Sequence, residues 1–101
     1  MQAVVSADCD VDLGRLAKLV GAEHIRMAHE DELEWMFPDC ERGAMPPLGP
    51  LYRQLVFVDE QLAADEEIVF NAGTFANAIA MRFNDFAEIT HPFVGRFAWP
   101  R

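Results

Sequence analysis

The chain has 101 residues, of which 51% are hydrophobic and 25% charged, and this composition predicts a single globular domain over residues 1–101. Its formal net charge of −9 excludes broad electrostatic binding to nucleic acid, because neutralising phosphates requires lysine and arginine together on one face. No apolar run approaches the roughly 18 residues that a membrane span needs, so we predict a cytoplasmic protein without membrane contact.

The N-terminal segment predicts one short strand and one amphipathic helix. Ala3–Val5 is an apolar run of β-favouring residues. Asp10 is the predicted N-cap of the helix, and Gly21 supplies its left-handed end. The apolar face of this helix is predicted from residues at helical spacing: Leu13, Leu16, Ala17 and Val20.

The next segment predicts a strand, a short helix and a stiff loop. His24–Ala28 alternates between polar and apolar residues, as a half-buried strand does. The acidic residues from Glu30 onward favour the start of a helix, which Pro38 ends. Three prolines and two glycines then make Asp39–Leu51 the stretch whose backbone is most strongly restricted.

The C-terminal half predicts three strands. Leu55–Val58 and Glu67–Phe70 are apolar runs suited to a buried sheet, and Ile79–Phe83 should pair with the second of them as a hairpin. Asn84 is predicted to cap a final helical turn, and the tail after it shows no regular period. Because strands and helices alternate, we predict an α/β or α+β domain with a mixed sheet.

The cysteines and histidines show no spacing typical of a metal site. Cys9 and Cys40 form no CxxC pair, so we predict reduced thiols, no bound metal and no cofactor. Cys40 can be interpreted as a nucleophile or as a structural residue, and its acidic neighbours Asp39 and Glu41 favour the structural role. None of the histidines has a partner at ligand spacing: His24, His29 and His91.

Four segments, in chain order, resemble the YbaK and prolyl-tRNA-synthetase-associated editing family: VDLGRLAKLVGA, FPDCERGAMPPLGPLY, VFVDEQLAADEEIVFNAG and AIAMRFNDFAEI. The GAMPPLG loop followed by VFVDE and IVFNAG is the most specific part of the pattern. The resemblance implies a barrel-like mixed α/β fold, of which this chain would be the C-terminal two-thirds.

The same resemblance implies hydrolysis in trans of the ester that joins a wrong amino acid to tRNA. The implied substrates are small residues on the proline tRNA, such as alanine or cysteine, and the implied partners are the aminoacylated 3′ end of tRNA and prolyl-tRNA synthetase. Such editing adds a second selection where a hydrophobic pocket discriminates one methylene by only about 1 to 3 kcal/mol.

The resemblance assigns the catalytic role to backbone groups of Gly43, Ala44 and Met45. Backbone N–H groups can stabilise a developing oxyanion without any charged side chain. Two further runs are implied to bind the substrate, one completing the loop and one forming the opposite wall: Pro46, Pro47, Leu48 and Gly49, and Asn71, Ala72, Gly73 and Thr74.

Two departures from the family pattern leave an alternative open. The family carries a lysine on a preceding N-terminal segment, and Lys18, in the predicted helix, does not correspond to it. Many relatives also read Gly-Thr-His where this chain has Gly73, Thr74 and Phe75. The alternative is a truncated, non-catalytic module that binds tRNA, a synthetase or a second copy of itself through an open sheet edge.

Overall fold

Short strands and helices alternate along the whole chain. The structure, a computed structural model, describes all 101 residues. The elements are β1 (Gln2–Val4), β2 (Cys9–Val11), α1 (Leu13–Val20), α2 (Glu30–Met36), a 3₁₀ helix (Gly49–Tyr52), β3 (Val56–Asp59), α3 (Glu60–Ala63), β4 (Glu67–Asn71), β5 (Ala78–Arg82), α4 (Phe83–Thr90), β6 (Phe93–Gly95) and β7 (Ala98–Pro100).

The strands form three separate sheets. β3 is the central strand of a parallel three-stranded sheet, with β1 on one side and β6 on the other. β4 and β5 form the predicted antiparallel hairpin, with Ile68 opposite Met81, and β2 pairs antiparallel with β7. The mixed α/β class is therefore confirmed, and none of the three sheets closes into a barrel.

The main core lies where β3, β4 and α4 meet. Val56 and Val58 of β3 pack with Ile68 of β4 and Phe86 of α4, and all four side chains are buried. Leu48 packs against this cluster from the proline-rich loop. The loop is thus fixed to the core at its C-terminal end.

Asp59, at the end of β3, joins the C-terminal tail to the centre of the molecule. Its side chain is buried, and Oδ1 accepts the backbone N–H groups of Phe97 and Ala98, each at 2.8 Å. Oδ2 accepts the N–H of Gln61 at 3.0 Å, which caps α3. These bonds explain why a tail without periodicity is nevertheless ordered against the body.

Two N-terminal predictions are wrong. The N-cap of α1 is Asp12, whose Oδ1 accepts the backbone N–H of Arg15 at 3.1 Å, whereas Asp10 lies in β2 opposite Trp99. The segment His24–Ala28 forms no strand. Residues 25–28 instead line a cavity, and Arg26 also forms an ion pair with Glu32 of α2.

The C-terminal predictions missed one helix start and two strands. α4 begins at Phe83 with Arg82 as its N-cap, so Asn84 lies inside the helix and does not cap it. The tail contributes β6 and β7, each three residues long. Such strands are too short for an alternating pattern to be recognised, and their partners are distant in sequence.

Candidate functional site

The loop between α2 and the 3₁₀ helix combines exposed and buried residues. Gly43 is exposed and has a φ of 85°, a left-handed conformation that favours glycine. Ala44, directly after it, is completely buried. The chain therefore turns sharply at Gly43 and enters the protein at the next residue.

The structure brings this loop against the run that follows β4. Glu41 donates its backbone N–H to Gly73 O at 2.6 Å, and Gly73 returns its N–H to Ala44 O at 2.9 Å. Gly73 has a φ of 98°, and Cys40 Sγ lies 3.6 Å from the point that a Cβ would occupy. The two predicted site segments are thus neighbours, while their roles in catalysis and binding stay predictions.

Glu41 makes the most contacts between the two segments. Besides its bond to Gly73, its carbonyl accepts the N–H of Ala44 at 3.0 Å and its Oε2 accepts the N–H of Phe75 at 2.8 Å. No local sequence pattern indicates this role, because the bond joins residues 34 positions apart.

The turn from β4 into β5 is also bonded within itself. Ala72 donates its N–H to Asn77 O at 3.0 Å, and Asn77 Nδ2 donates to Thr74 Oγ1 at 2.7 Å. Asn71 ends β4 opposite Ala78. This run is therefore an ordered wall beside the Gly43 loop.

The C-terminal part of the loop anchors it to the core. Gln2 Nε2 donates to Pro46 O at 3.0 Å, and both Pro46 and Gly49 are buried. A Cβ at Gly49 would overlap Gln54 O and a methyl group of Val56, so only glycine fits there. Leu48 and Gly49 consequently join the loop to the core.

A cavity of about 720 Å³ lies beside the loop. Met45 and Pro47 line it, together with residues of β1, α1, α2 and the segment 25–28. Most of its lining is apolar, and its polar residues are Gln2, Arg26 and Glu32. Gln2 Oε1 is buried without a hydrogen-bond partner. The cavity can therefore accept an apolar group and offers few polar contacts.

The charged pair at this cavity is poorly suited to acid–base catalysis. Arg26 Nη1 donates to Glu32 Oε1 at 2.7 Å, and the backbone N–H of His29 donates to the same oxygen at 2.9 Å. These bonds, with that from Arg26 the stronger influence, lower the pKa of Glu32 to about 2. Glu32 is thus ionised at neutral pH and is a weak base.

Cys40 lies behind the loop. Its Sγ lies 3.3 Å from Tyr52 Oη, and this hydrogen bond, followed by burial, raises the pKa of Tyr52 to about 12. Cys40 lines a second cavity of about 200 Å³ that also contains Phe37 and Arg42. Its contacts with Tyr52 and Gly73 agree with the structural interpretation of this cysteine.

Five backbone N–H groups within residues 43–49 and 72–74 make no hydrogen bond in the protein: those of Gly43, Met45, Leu48, Gly49 and Thr74. Of these residues Met45 lines the cavity, whereas Gly43 is exposed. Backbone donors of this kind can stabilise negative charge on an oxygen atom of a ligand.

The structure shows neither a cluster of metal ligands nor a membrane-spanning helix. No group of three or more histidine, cysteine, aspartate or glutamate residues is placed to hold a metal ion. No helix is both long and apolar enough to cross a membrane.

The Gly43 loop and the Gly73 turn thus lie side by side, and Met45 and Pro47 of the loop line an apolar cavity. The sequence pattern of the family described as aminoacyl-tRNA editing domain matches residues 1–89. The chain belongs to this family, as the sequence resemblance predicted.

Curated relatives support the same assignment. The chain is 29% identical over 97 residues to the Multifunctional Ser/Thr-tRNA deacylase ProXp-y of Escherichia coli strain K12, and equally similar to that of strain O157:H7. The match covers 94% of this chain but only 57% of the relative. The chain thus spans little more than half the length of the curated relatives it matches.

Solved structures share the fold. A scaffold protein from work on epitope backbone grafting by computational design matches with a TM-score of 0.82 at 22% identity, over 94% of this chain and 62% of that one. A putative signal transduction protein from Marinobacter aquaeolei VT8 matches with a TM-score of 0.80 at 23% identity, over 96% of this chain and 21% of the other. At these identities the similarity concerns the fold alone.

Proposed function

We propose that the chain hydrolyses the ester bond of mischarged aminoacyl-tRNA. The observation that carries this proposal is the Gly43–Met45 backbone, in which the N–H groups of Gly43 and Met45 make no hydrogen bond within the protein. One hydrogen bond to Ala44 O and one from the N–H of the preceding Glu41 join this loop to Gly73. Membership of the editing family and the deacylase activity named for the Escherichia coli relative support the same reaction.

In the proposed reaction, a water molecule attacks the ester carbonyl carbon. The carbonyl oxygen becomes an oxyanion, to which the N–H groups of Gly43 and Met45 donate. The carbon–oxygen bond to the ribose then breaks, the ribose oxygen takes the proton that the attacking water has lost, and the free amino acid and tRNA leave. Donors of this kind contribute a factor of about 100 to 1,000 in turnover each.

The amino acid side chain is proposed to enter the cavity beside Met45 and Pro47. Alanine and cysteine on the proline tRNA fit its apolar lining, whereas serine and threonine, named for the relative, require a polar partner. Because the name of the relative includes serine and threonine, hydroxyl residues belong in the substrate panel as well.

The test is the release of amino acid from tRNA charged with alanine, cysteine, serine or threonine, with Gly43→Val as the first variant. A Cβ at Gly43 would lie 3.3 Å from Phe75 Cζ, and its positive φ strains any β-branched residue. We expect turnover to fall more than about a hundredfold.

Gly21→Val is the matched control. Gly21 also has a positive φ, of 74°, but no atom lies within 4 Å of its Cβ position. The control variant carries similar backbone strain far from the loop and should keep its activity. Full activity of Gly43→Val, or equal losses in both variants, would refute the role of the loop.

The second proposal is self-association through β1. This strand pairs only with β3, so its outer edge is free, and the apolar cavity is lined by the same strand. Self-association is proposed whether or not the chain is catalytic. If the folded chain releases no amino acid, binding is the function that we propose for it. Prolyl-tRNA synthetase stays a partner proposed from the resemblance alone.

A further inference from the structure

Phe75 is a large aromatic residue exposed beside the proposed catalytic loop. It lies in the turn between β4 and β5, and 63% of its surface is exposed. Its ring atom Cζ is 3.3 Å from the Cβ position of Gly43. An exposed ring at this place needs an explanation other than packing.

The backbone that carries Phe75 is well fixed. Glu41 Oε2 accepts its N–H at 2.8 Å, and the surrounding turn is closed by the bonds between Asn77 and its neighbours Ala72 and Thr74. A ring on an ordered backbone loses little conformational freedom when it binds a ligand.

Phe75 does not form a wall of the amino acid pocket. It lines neither the cavity of about 720 Å³ nor the smaller one, and it does not pack against the main core cluster. Met45 lines the larger cavity, whereas Phe75 lies against Gly43, two residues earlier in the loop. An ester bound over the loop would thus direct its acyl group toward Met45 and its ribose toward Phe75.

Ionic contacts contribute little to the binding of tRNA by this chain. The net charge is −9, and Arg42, the cation next to the loop, is already paired with Glu30 and Glu34. Affinity for the 3′ end must therefore depend on local contacts that are not ionic. Stacking of a base on an aromatic ring is such a contact and tolerates any base.

We propose that Phe75 stacks on the terminal nucleobase of the aminoacylated tRNA. This inference rests on the proposed function, because the ester position over Gly43 determines where the base lies. Phe75 is a substrate-binding residue in this proposal and takes no part in the chemical step.

The first test compares Phe75→Leu with Phe75→Trp on two substrates, mischarged tRNA and the ethyl ester of the same amino acid, which has no base. We expect Phe75→Leu to raise KM for the tRNA about tenfold, while hydrolysis of the ethyl ester is unchanged. Phe75→Trp should keep the KM for the tRNA close to that of the unmodified chain, since tryptophan also stacks. Trp99→Leu, which removes another exposed aromatic side chain in β7, is the control and should change neither substrate.

An unchanged KM for tRNA in Phe75→Leu would overturn the inference. Equal losses on both substrates would also overturn it, because they would assign Phe75 to the amino acid pocket. A second measurement separates this inference from the proposed function. Titration with the trinucleotide CCA, the 3′ sequence of tRNA, should shift the NMR signals of the Phe75 ring even if the chain releases no amino acid, and absence of that shift would overturn the inference.

Discussion

At the residue scale, Glu41 connects the two halves of the candidate site. Its carboxylate fixes Phe75, and its backbone bonds to Gly73 and Ala44. Replacing it with alanine removes only the carboxylate bond, because both backbone bonds are retained.

We predict that Glu41→Ala lowers kcat/KM for mischarged tRNA about tenfold, since small displacements of binding groups can reduce rates up to about a hundredfold. Stability should fall by only about 1 kcal/mol, as the lost bond is exposed. Glu41→Gln keeps an acceptor and should retain most activity. Glu88→Ala removes an exposed carboxylate without a hydrogen bond and serves as control; equal losses in Glu41→Ala and Glu88→Ala would contradict the prediction.

Asp59 predicts how stability depends on pH. Burial is the largest single influence and raises its pKa, but the N–H groups of Phe97, Ala98 and Gln61 together outweigh it, so the pKa lies below the ordinary value. The ionised form is therefore favoured in the folded state. Its contribution to stability is fully present above the unfolded pKa, about 4, and is lost as the pH falls through the lower folded value.

Urea denaturation should accordingly show a midpoint that decreases below about pH 4. Asp59→Asn should be less stable at pH 7 by about 2 kcal/mol, because an amide accepts fewer of these bonds, and it should lose part of the pH dependence. Asp65→Asn changes an exposed carboxylate, and its urea midpoint should equal that of the unmodified chain both at pH 7 and below about pH 4. A midpoint independent of pH between 5 and 2 would contradict the role of Asp59.

At the element scale, local patterns predicted α1, α2, β3 and the β4–β5 hairpin, because each is long enough to show its own period or is bounded by glycine or proline. The 3₁₀ helix was not predicted. The strands missed were β2, β6 and β7, which have three residues each. These strands exist because distant partners pair with them, and no local pattern encodes such pairing.

The candidate site likewise combines features that the local sequence indicates with features that depend on contacts between distant residues. The resemblance to the editing family indicated the Gly43 loop and the Gly73 turn as site segments, and their glycines and prolines restrict the backbone directly. The contacts that join the two segments, and the cavity beside them, depend on tertiary packing. Sequence reasoning therefore located both segments but not Glu41, the residue that holds them together.

The free edge of β1 predicts an effect of proline on self-association. Gln2 donates its N–H to Leu55 O within the sheet, so the N–H of the next residue, Ala3, points away from β3. Ala3→Pro removes that donor and leaves the pairing with β3 intact, whereas Ala3→Val retains it. Light scattering should show a dimer for the original chain and Ala3→Val, and a larger monomer fraction for Ala3→Pro. A monomer in all three would refute the proposal.

At the scale of the whole molecule, most of the positive side chains are paired with carboxylates, so few are available to bind a polyanion. Five arginines form ion pairs with carboxylates, namely Arg15, Arg26, Arg42, Arg96 and Arg101. The cations without an ion pair are Lys18, Arg53 and Arg82, which lie on α1, after the 3₁₀ helix and at the end of β5. These three residues belong to different elements of the fold.

The tail belongs to the folded unit although the family match ends at residue 89. β6 pairs with β3, β7 pairs with β2, and Asp59 bonds to the backbone between them. The end of the chain thus contributes to two of the three sheets.

The central position of β3 has a consequence for folding during synthesis. Its two neighbours, β1 and β6, lie far before and far after it in the chain, so the parallel sheet has no local route of assembly. A ribosome must translate at least through Gly95 before the sheet can be completed, and until then β3 has an unpaired edge. Strands this far apart in the sequence pair slowly. The nascent chain therefore exposes the edge of β3, to which chaperones that shield exposed strands can bind.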